Sequence, residues 1–380
     1  MKPTICFATM CKNEEHCIKD TLESVYKYID HWVVYDTGST DRTQEIVETF
    51  FKEKNIPGKF YAETFEGFDK SKTKMIACAK DKADYIMHLD ADDLLAGEFF
   101  FPENDPDKDS YYMNVRRGGS NYKALILFKA SYTWKFCGVA HTTIKCLEKP
   151  NFSMGDISDS SYIICEGIGS RAFDPKKFFY DAQRLQKQFF DTLIEDPDDL
   201  NNRSAFYTAQ SYMDYGMYTE ALQWNNLYLK LQNTWIEERF EAQLRIGKIY
   251  ISMNADIELI EREMRKAIEI FPDRAEPYHY MGIHFNTLRD FEKGYHYLNE
   301  AVKKDLTAMK NKYILFVDES AYGKWNYDEL SVSCFWTNKP EQGVKLINAI
   351  IDDPDFEHHK PRLLDNLNHF KTKYHENHVA

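Results

Sequence analysis

The stretch Tyr85 to Asp93, YIMHLDADD, constrains this chain more than any other: a short apolar run stops abruptly at three carboxylates, Asp90, Asp92 and Asp93. Such a run reads as a buried strand that delivers acidic side chains to its exposed tip. On an extended chain, positions i and i+2 project to the same side. Asp90 and Asp92 are therefore expected to face one hard divalent cation, Mg²⁺ or Mn²⁺, carrying a phosphate. A surface turn with solvated acids is the alternative for this segment alone.

The N-terminal residues bear on that choice. Ile5 to Met10 is a short apolar strand, Lys12 to Glu15 a polar turn, and Ile18 to Tyr26 has helical spacing. Trp32 to Tyr35 repeats the strand, Asp36 to Asp41 is a Gly/Ser/Thr turn, and Thr43 to Phe51 is a second helix capped by Thr40 or Asp41. Strand, loop, helix, twice over, implies a parallel α/β sheet. Ligands of such sheets bind beyond the carboxyl ends of the strands, where Asn13, Asp36 and Asp90 would gather.

Taken together, CKNEE at 11–15, DTGSTD at 36–41 and LDADD at 89–93 resemble the family 2 glycosyltransferases of the GT-A fold, a Rossmann-like, mostly parallel sheet. The resemblance spans residues 1–175. It implies transfer of a sugar from a nucleotide sugar, of the UDP or GDP type, usually with inversion and with Mg²⁺ or Mn²⁺. By the same resemblance Lys12, Asn13 and Glu14 line the nucleotide pocket. Asp36, with Gly38, Ser39 and Asp41 of its turn, sits where the family holds base and ribose. Lys74 falls near the phosphates, and within Asp90-Ala91-Asp92 the two acids engage ribose and metal. Physical chemistry agrees, because a nucleoside diphosphate leaving group gains negative charge that a divalent ion and a lysine can stabilise by several kcal/mol. An ordinary solvated lysine is the plainer role for Lys74, and a helix cap alone the plainer role for Asp41.

The acceptor side departs from the family. WKFCGVAH at 134–141 resembles a segment reading Trp, Gly, then His-Glu, but Thr142 stands at the Glu position. IICEGIGSR at 163–171 resembles a return to the active site where many relatives have a His; here it is Cys165, followed by Glu166 and Gly167. An inverting transfer needs a general base, and the candidates rank Glu166, His141, Asp93, Asp156. His141 as a core histidine and Asp93 as a turn cap are the simpler roles. Since Mg²⁺ and Mn²⁺ prefer oxygen, Cys165 is expected to be a buried thiol rather than a ligand.

At 380 residues the chain has room for two or three domains. No segment approaches the ~20 apolar residues of a membrane span, and Met1-Lys2-Pro3 leads directly into a strand, so a cytoplasmic protein is expected. Eight cysteines without a CxxC pair favour reduced thiols. A net charge of −13 argues against bulk binding to nucleic acid or anionic membranes.

From Asp174 the pattern becomes all-helical. Residues 176–200 read as a linking helix and 201–380 as tetratricopeptide-like repeats: Ala209, Tyr212 and Ala221 recur as Gly282, Phe285 and Gly294, more loosely as Gly247, Tyr250 and Ala267, and in degenerate form as Ser331, Cys334 and Gly343. The spacing lies near the ~34-residue repeat period, and an insertion around 315–330 precedes the last copy. A concave repeat face suits a glycan or protein acceptor, or a homodimer partner. The leading expectation is a metal-dependent inverting glycosyltransferase acting on a glycan or protein hydroxyl. Its rival is a degenerate transferase domain that binds a nucleotide sugar as a scaffold beside a protein-binding repeat module.

Overall fold

The computed structural model describes residues 2–102, 107–118 and 120–375. Packing divides the chain into two compact units, Met1–Trp224 and Asn225–Ala380.

The first unit begins as the sequence predicts, with β1 (Ile5–Cys11), α1 (Ile18–Val25), β2 (His31–Asp36), α2 (Thr43–Lys54), β3 (Gly58–Ala62), α3 (Phe68–Ala79) and β4 (Tyr85–His88). There follow β5 (Asp93–Gly97), β6 (Ser110–Arg117), β7 (Ser120–Lys129), β8 (Trp134–Cys137), β9 (Thr143–Cys146), β10 (Met154–Asp156) and β11 (Ser161–Cys165). The main sheet runs in the order β3-β2-β1-β4-β7-β6-β11-β5, with β10 beside β6. Its first four strands are parallel, β7 is antiparallel to both neighbours, and β11 joins β6 in parallel but β5 antiparallel. The result is a mostly parallel mixed sheet. Strand alternation sends Ile5, Phe7, Val34 and Met87 to one face, against α1 and α2. It sends Cys6, Ala8, Val33 and Ile86 to the other, against Met75, Ile76 and Ala79 of α3.

Helices α4 (Lys177–Asp191) and α5 (Asn201–Tyr215) belong to this unit, and the division falls within α6 (Tyr218–Lys230). Gln188 of α4 accepts from the Val139 amide at 2.8 Å and donates to Ser204 of α5 at 2.6 Å. Lys135 of β8 pairs with Asp198 at 2.7 Å. These polar contacts tie the segment after residue 176 to the sheet's own loops.

The second unit contains hairpins α7 (Ile236–Ser252)/α8 (Ile257–Ile270) and α9 (Glu276–Thr287)/α10 (Phe291–Ala301), then α11 (Leu306–Lys312), α12 (Tyr327–Trp336)/α13 (Pro340–Ile350) and α14 (Lys360–His375). Connections of three or four residues make each pair antiparallel. The small positions of the repeat lie at the crossings: a Cβ on Gly282 would meet Leu298 at 2.4 Å, and one on Gly343 would meet Phe370 at 2.3 Å. Phe285 and Cys334 fill the adjacent core. The chain is thus built as tetratricopeptide-like helical hairpins after the α/β domain. The long interval before α12 has a physical anchor. Arg274, fully buried, donates to Glu276 at 2.7 Å, to Glu241 at 3.3 Å and to the Phe316 carbonyl at 2.9 Å, which pins the insertion to α7 and α9.

Candidate active site

The carboxyl ends of β1, β2 and β4 meet at one edge of the first unit, and two loops are stitched together there. Asp36 is buried, and its Oδ2 accepts from the amides of Gly38 at 3.0 Å and Ser39 at 2.9 Å. Gly38 has φ +104°, a conformation that excludes most side chains. The Asn13 amide donates to Ser39 Oγ at 2.8 Å while its side-chain oxygen accepts from the Thr40 amide at 2.7 Å. Asp41 Oδ1 accepts from the Thr43 amide at 3.0 Å and from its hydroxyl at 2.6 Å, and its Oδ2 accepts from the Glu15 amide at 3.1 Å. Asp41 thus holds the entry to α2 one residue ahead of the N-cap position, Arg42.

A third loop lies across these two. Gly169 donates its amide to Asp92 Oδ2 at 2.8 Å, and Ser170 donates its amide to Glu14 Oε2 at 2.9 Å and its hydroxyl to the Lys12 carbonyl at 2.8 Å. His16 Nε2 donates to the Ile168 carbonyl at 2.8 Å. Burial pushes the Glu14 carboxyl above its usual range, partly offset by the Ser170 and Cys17 hydrogen bonds. Segment 168–170 therefore straps the nucleotide-side loop to the acidic tip of β4.

That tip is a turn rather than an extended run. The Asp93 amide donates to the Asp90 carbonyl at 3.1 Å, so the expectation that Asp90 and Asp92 share a side by strand alternation is replaced by a tight turn. Lys72 holds Asp90 at 2.8 Å, and its charge keeps that carboxyl down at about 2. His88 stands behind, donating from Nδ1 to the Ala8 carbonyl at 3.0 Å with Nε2 3.8 Å from Asp90. Burial pushes the His88 imidazole down to about 4, so it stays neutral. Ala91 is buried, its carbonyl accepting from Thr21 Oγ1 at 2.8 Å.

The lysine of α3 that reaches the acids is Lys72; Lys74 pairs instead with Glu66 in solvent. Two residues apart on a helix, the two side chains diverge by about 200°. A signal for Lys72 exists in the sequence: it continues the stripe of Met75, Ile76 and Ala79 at helical spacing, so a charge sits where the core face of α3 runs out.

Asp93 begins β5 opposite Cys165 of β11. Its Oδ2 accepts from the Asp90 amide at 3.3 Å, and its buried Oδ1 has no close hydrogen-bond partner among the described residues, the Cys165 thiol lying near the carboxyl. Burial first, then Asp90 and Asp92, push its carboxyl up to about 7. Burial and Asp93 raise the Cys165 thiol to about 12, so it is an un-ionised thiol. Glu166, one residue on, is exposed and by alternation leaves the opposite side of the strand from Cys165. His141 takes φ +48°, stacks on Tyr207 of α5 at 4.1 Å, and its carbonyl accepts from Arg203 at 2.9 Å, which seats it against the helices. Asp156 is not brought to the site: it pairs with Lys123 at 2.7 Å and lies level with Tyr112, five residues or about 16 Å down β6 from the tip at Arg117.

Residues 6–103, which contain every donor-side position described above, match the family described as Glycosyl transferase family 2. This segment is similar to a family 2 glycosyltransferase domain. The transferase domain's match ends before His141, Asp156 and Glu166, where the sequence departs from the motifs. No protein of curated function matches the chain. Among solved structures, MamA is 15% identical over 53% of this chain and 96% of its own, with a TM-score of 0.33. BtubC from P. vanneervenii is 15% identical over 50% and 74%, at 0.37. The thermophilic TPR protein TTC0263 of Thermus thermophilus is 13% identical over 49% and 93%, at 0.31. With likenesses this loose, the repeat assignment rests on the chain's own hairpins and their glycine crossings. Among the described residues, no helix is long and apolar enough to cross a membrane.

The donor set suits a hard cation. Asp90 and Asp92 offer oxygen only, the ligand type that Mg²⁺ and Mn²⁺ take. The un-ionised Cys165 thiol is a poor ligand for such an ion.

Proposed function

We propose that the chain is a metal-dependent, inverting glycosyltransferase that moves a sugar from a nucleotide-diphosphate sugar, UDP or GDP type, to a glycan or protein hydroxyl. The observation that carries this is the acidic turn 90–93, set beside Lys72 and strapped to the nucleotide-side loops inside a segment that matches the transferase family.

Asn13, Glu14, Asp36, Gly38 and Ser39 shape the pocket for base and ribose. The Asp36 carboxylate is engaged with its own turn, so it acts by holding the 36–41 loop while backbone groups and Lys12 meet the nucleotide. Asp90 and Asp92 hold Mg²⁺ or Mn²⁺, which when bound offsets the charge of the diphosphate leaving group. Lys72 supplies a fixed positive charge on the same side. Asp93 is favoured as the base over Glu166 and His141, because it lies next to the metal pair and its Oδ1 has no close hydrogen-bond donor among the described residues. A cation at Asp90 and Asp92 would relieve the repulsion that favours its protonated form, leaving the carboxylate that a base requires.

The test is calorimetry of wild type and Asp92→Asn with UDP- and GDP-sugars, with and without Mg²⁺ or Mn²⁺, followed by a donor-hydrolysis assay. Metal-dependent binding that Asp92→Asn abolishes, with unchanged circular dichroism, is expected. Unaltered donor affinity in the folded variant would sink the metal assignment, and binding without hydrolysis or transfer to any acceptor would favour a nucleotide-sugar-binding scaffold.

A further inference from the structure

Next to the strap the first unit contains an open pocket of about 460 Å³, of a volume found for small-molecule sites, ~300–1,000 Å³. Its wall joins Arg117 at the end of β6, Lys177 and Phe178 at the start of α4, Asp174 before it, and Asp214 and Tyr215 at the end of α5. The cavity adjoins the proposed reaction centre. Gly167 lines it, two residues past Cys165 and two before the glycine that holds Asp92. In the parallel register of β6 and β11, Arg116 faces Ile164, so Arg117 lies beside Cys165, the ladder partner of Asp93.

Its charges are unusual. Arg117 and Lys177 have no carboxylate within ion-pair distance among the described residues, whereas the neighbouring Arg171 pairs with Asp181 and caps Phe68 at 4.9 Å. Lys177 is half-buried, and burial together with Arg117 and Arg171 pulls its ammonium down, against the partial support of Asp181 and Asp92. Lys177, half-buried without a carboxylate at ion-pair distance and with the exposed Arg117 near it, carries a cost that an anion in the pocket would offset. The remaining lining is that of a saccharide subsite. Asp174, one of whose oxygens already accepts from the Lys176 amide at 2.9 Å, is a carboxylate able to accept from hydroxyls, and Phe178 and Tyr215 offer ring surface.

We propose that this cavity is the acceptor subsite and that the acceptor is an anionic saccharide, its phosphate or carboxylate held by Arg117 and Lys177. The proposal rests on the transferase reading above. The donor diphosphate is assigned elsewhere on geometry: it belongs with Asp90, Asp92 and Lys72 at the tip of β4, whereas Arg117 is on β6, two places further along the sheet with β7 between. An arginine fork with a point charge beside it suits a phosphate monoester or a uronate better than a neutral sugar.

The test is calorimetry on the full chain with saturating UDP or GDP and Mg²⁺, titrating inorganic phosphate, glucuronate and, as the neutral control, glucose. Arg117→Gln and Lys177→Gln are compared with wild type. Phosphate, glucuronate or both are expected to bind while glucose does not, with each substitution weakening the anion roughly tenfold and nucleotide affinity unchanged within twofold. Arg117 is exposed, so its variant is expected to fold; circular dichroism checks Lys177→Gln. Absence of anion binding, or binding indifferent to both substitutions, overturns the proposal. A parallel loss of nucleotide affinity overturns it too, by giving the cavity to the donor diphosphate. Wild type that binds the anion but no nucleotide would instead overturn the transferase reading beneath it.

Discussion

Replacing Asp93 by Asn should make the first unit more stable and the proposed enzyme inactive. The carboxyl moves from 3.8 to about 7 in the fold because it is buried against Asp90 and Asp92. At ~1.36 kcal/mol per pH unit, this is on the order of 4 kcal/mol once the group is ionised in both states. Part of that will be lost to the solvent that reaches the acidic turn, so about 2–3 kcal/mol is a fair expectation. The sign follows from proton uptake. Between pH 4 and 7 the folded state holds a proton that the unfolded state has released, so wild type loses stability as pH rises through that window and no more above it. Asn carries no charge and is exempt. Urea unfolding should therefore find Asp93→Asn more stable than wild type by that amount at pH 8, but by only about 1 kcal/mol at pH 5. Transfer should fall by roughly 10²–10⁴, the usual worth of a general base. Equal stability at both pH values would refute the buried-repulsion account. A stabilised variant that retains full activity would refute the role as base while leaving the electrostatics intact.

Lys72→Met should weaken metal-dependent nucleotide binding roughly tenfold through loss of one charge-assisted contact, whereas Lys74→Met should leave it unchanged; calorimetry decides, and the reverse order would restore Lys74. In the second unit, Arg274→Met leaves Glu276 and Glu241 buried without their cation, at a cost of about 3–5 kcal/mol read by chemical denaturation. Burial already raises Glu241 to about 7 despite Arg274, so that loss should be larger at pH 8 than at pH 5. Gly343→Ala places a methyl 2.3 Å from Phe370 and should cost ~1–3 kcal/mol by overpacking, lowering the melting temperature of the second unit without altering nucleotide affinity.

Local chemistry made much of this architecture legible in the sequence. The alternation of apolar strands with polar turns and helices located β1, α1, β2 and α2, because each pattern has its own period and its own turn residues. The acids at 90, 92 and 93 announced a polar strand tip, and the small-aromatic-small recurrence placed the hairpin crossings at Gly282 and Gly343, since only small residues allow helices to approach that closely. What the sequence left open depended on distant segments meeting. Lys72 and Lys74 differ only in which way α3 faces the sheet. Asp93 differs from any acid after a turn because β11 returns beside it and one of its oxygens is buried. Asp156 had the composition of a base and lies about 16 Å from the tip, because β10 pairs with the far end of β6. Arg117 and Lys177, 60 residues apart, line one pocket because α4 begins where β6 ends. Side-chain type and period are properties of the chain, whereas desolvation and charge proximity belong to the assembled fold, and those two quantities decide which carboxylates and lysines do chemistry.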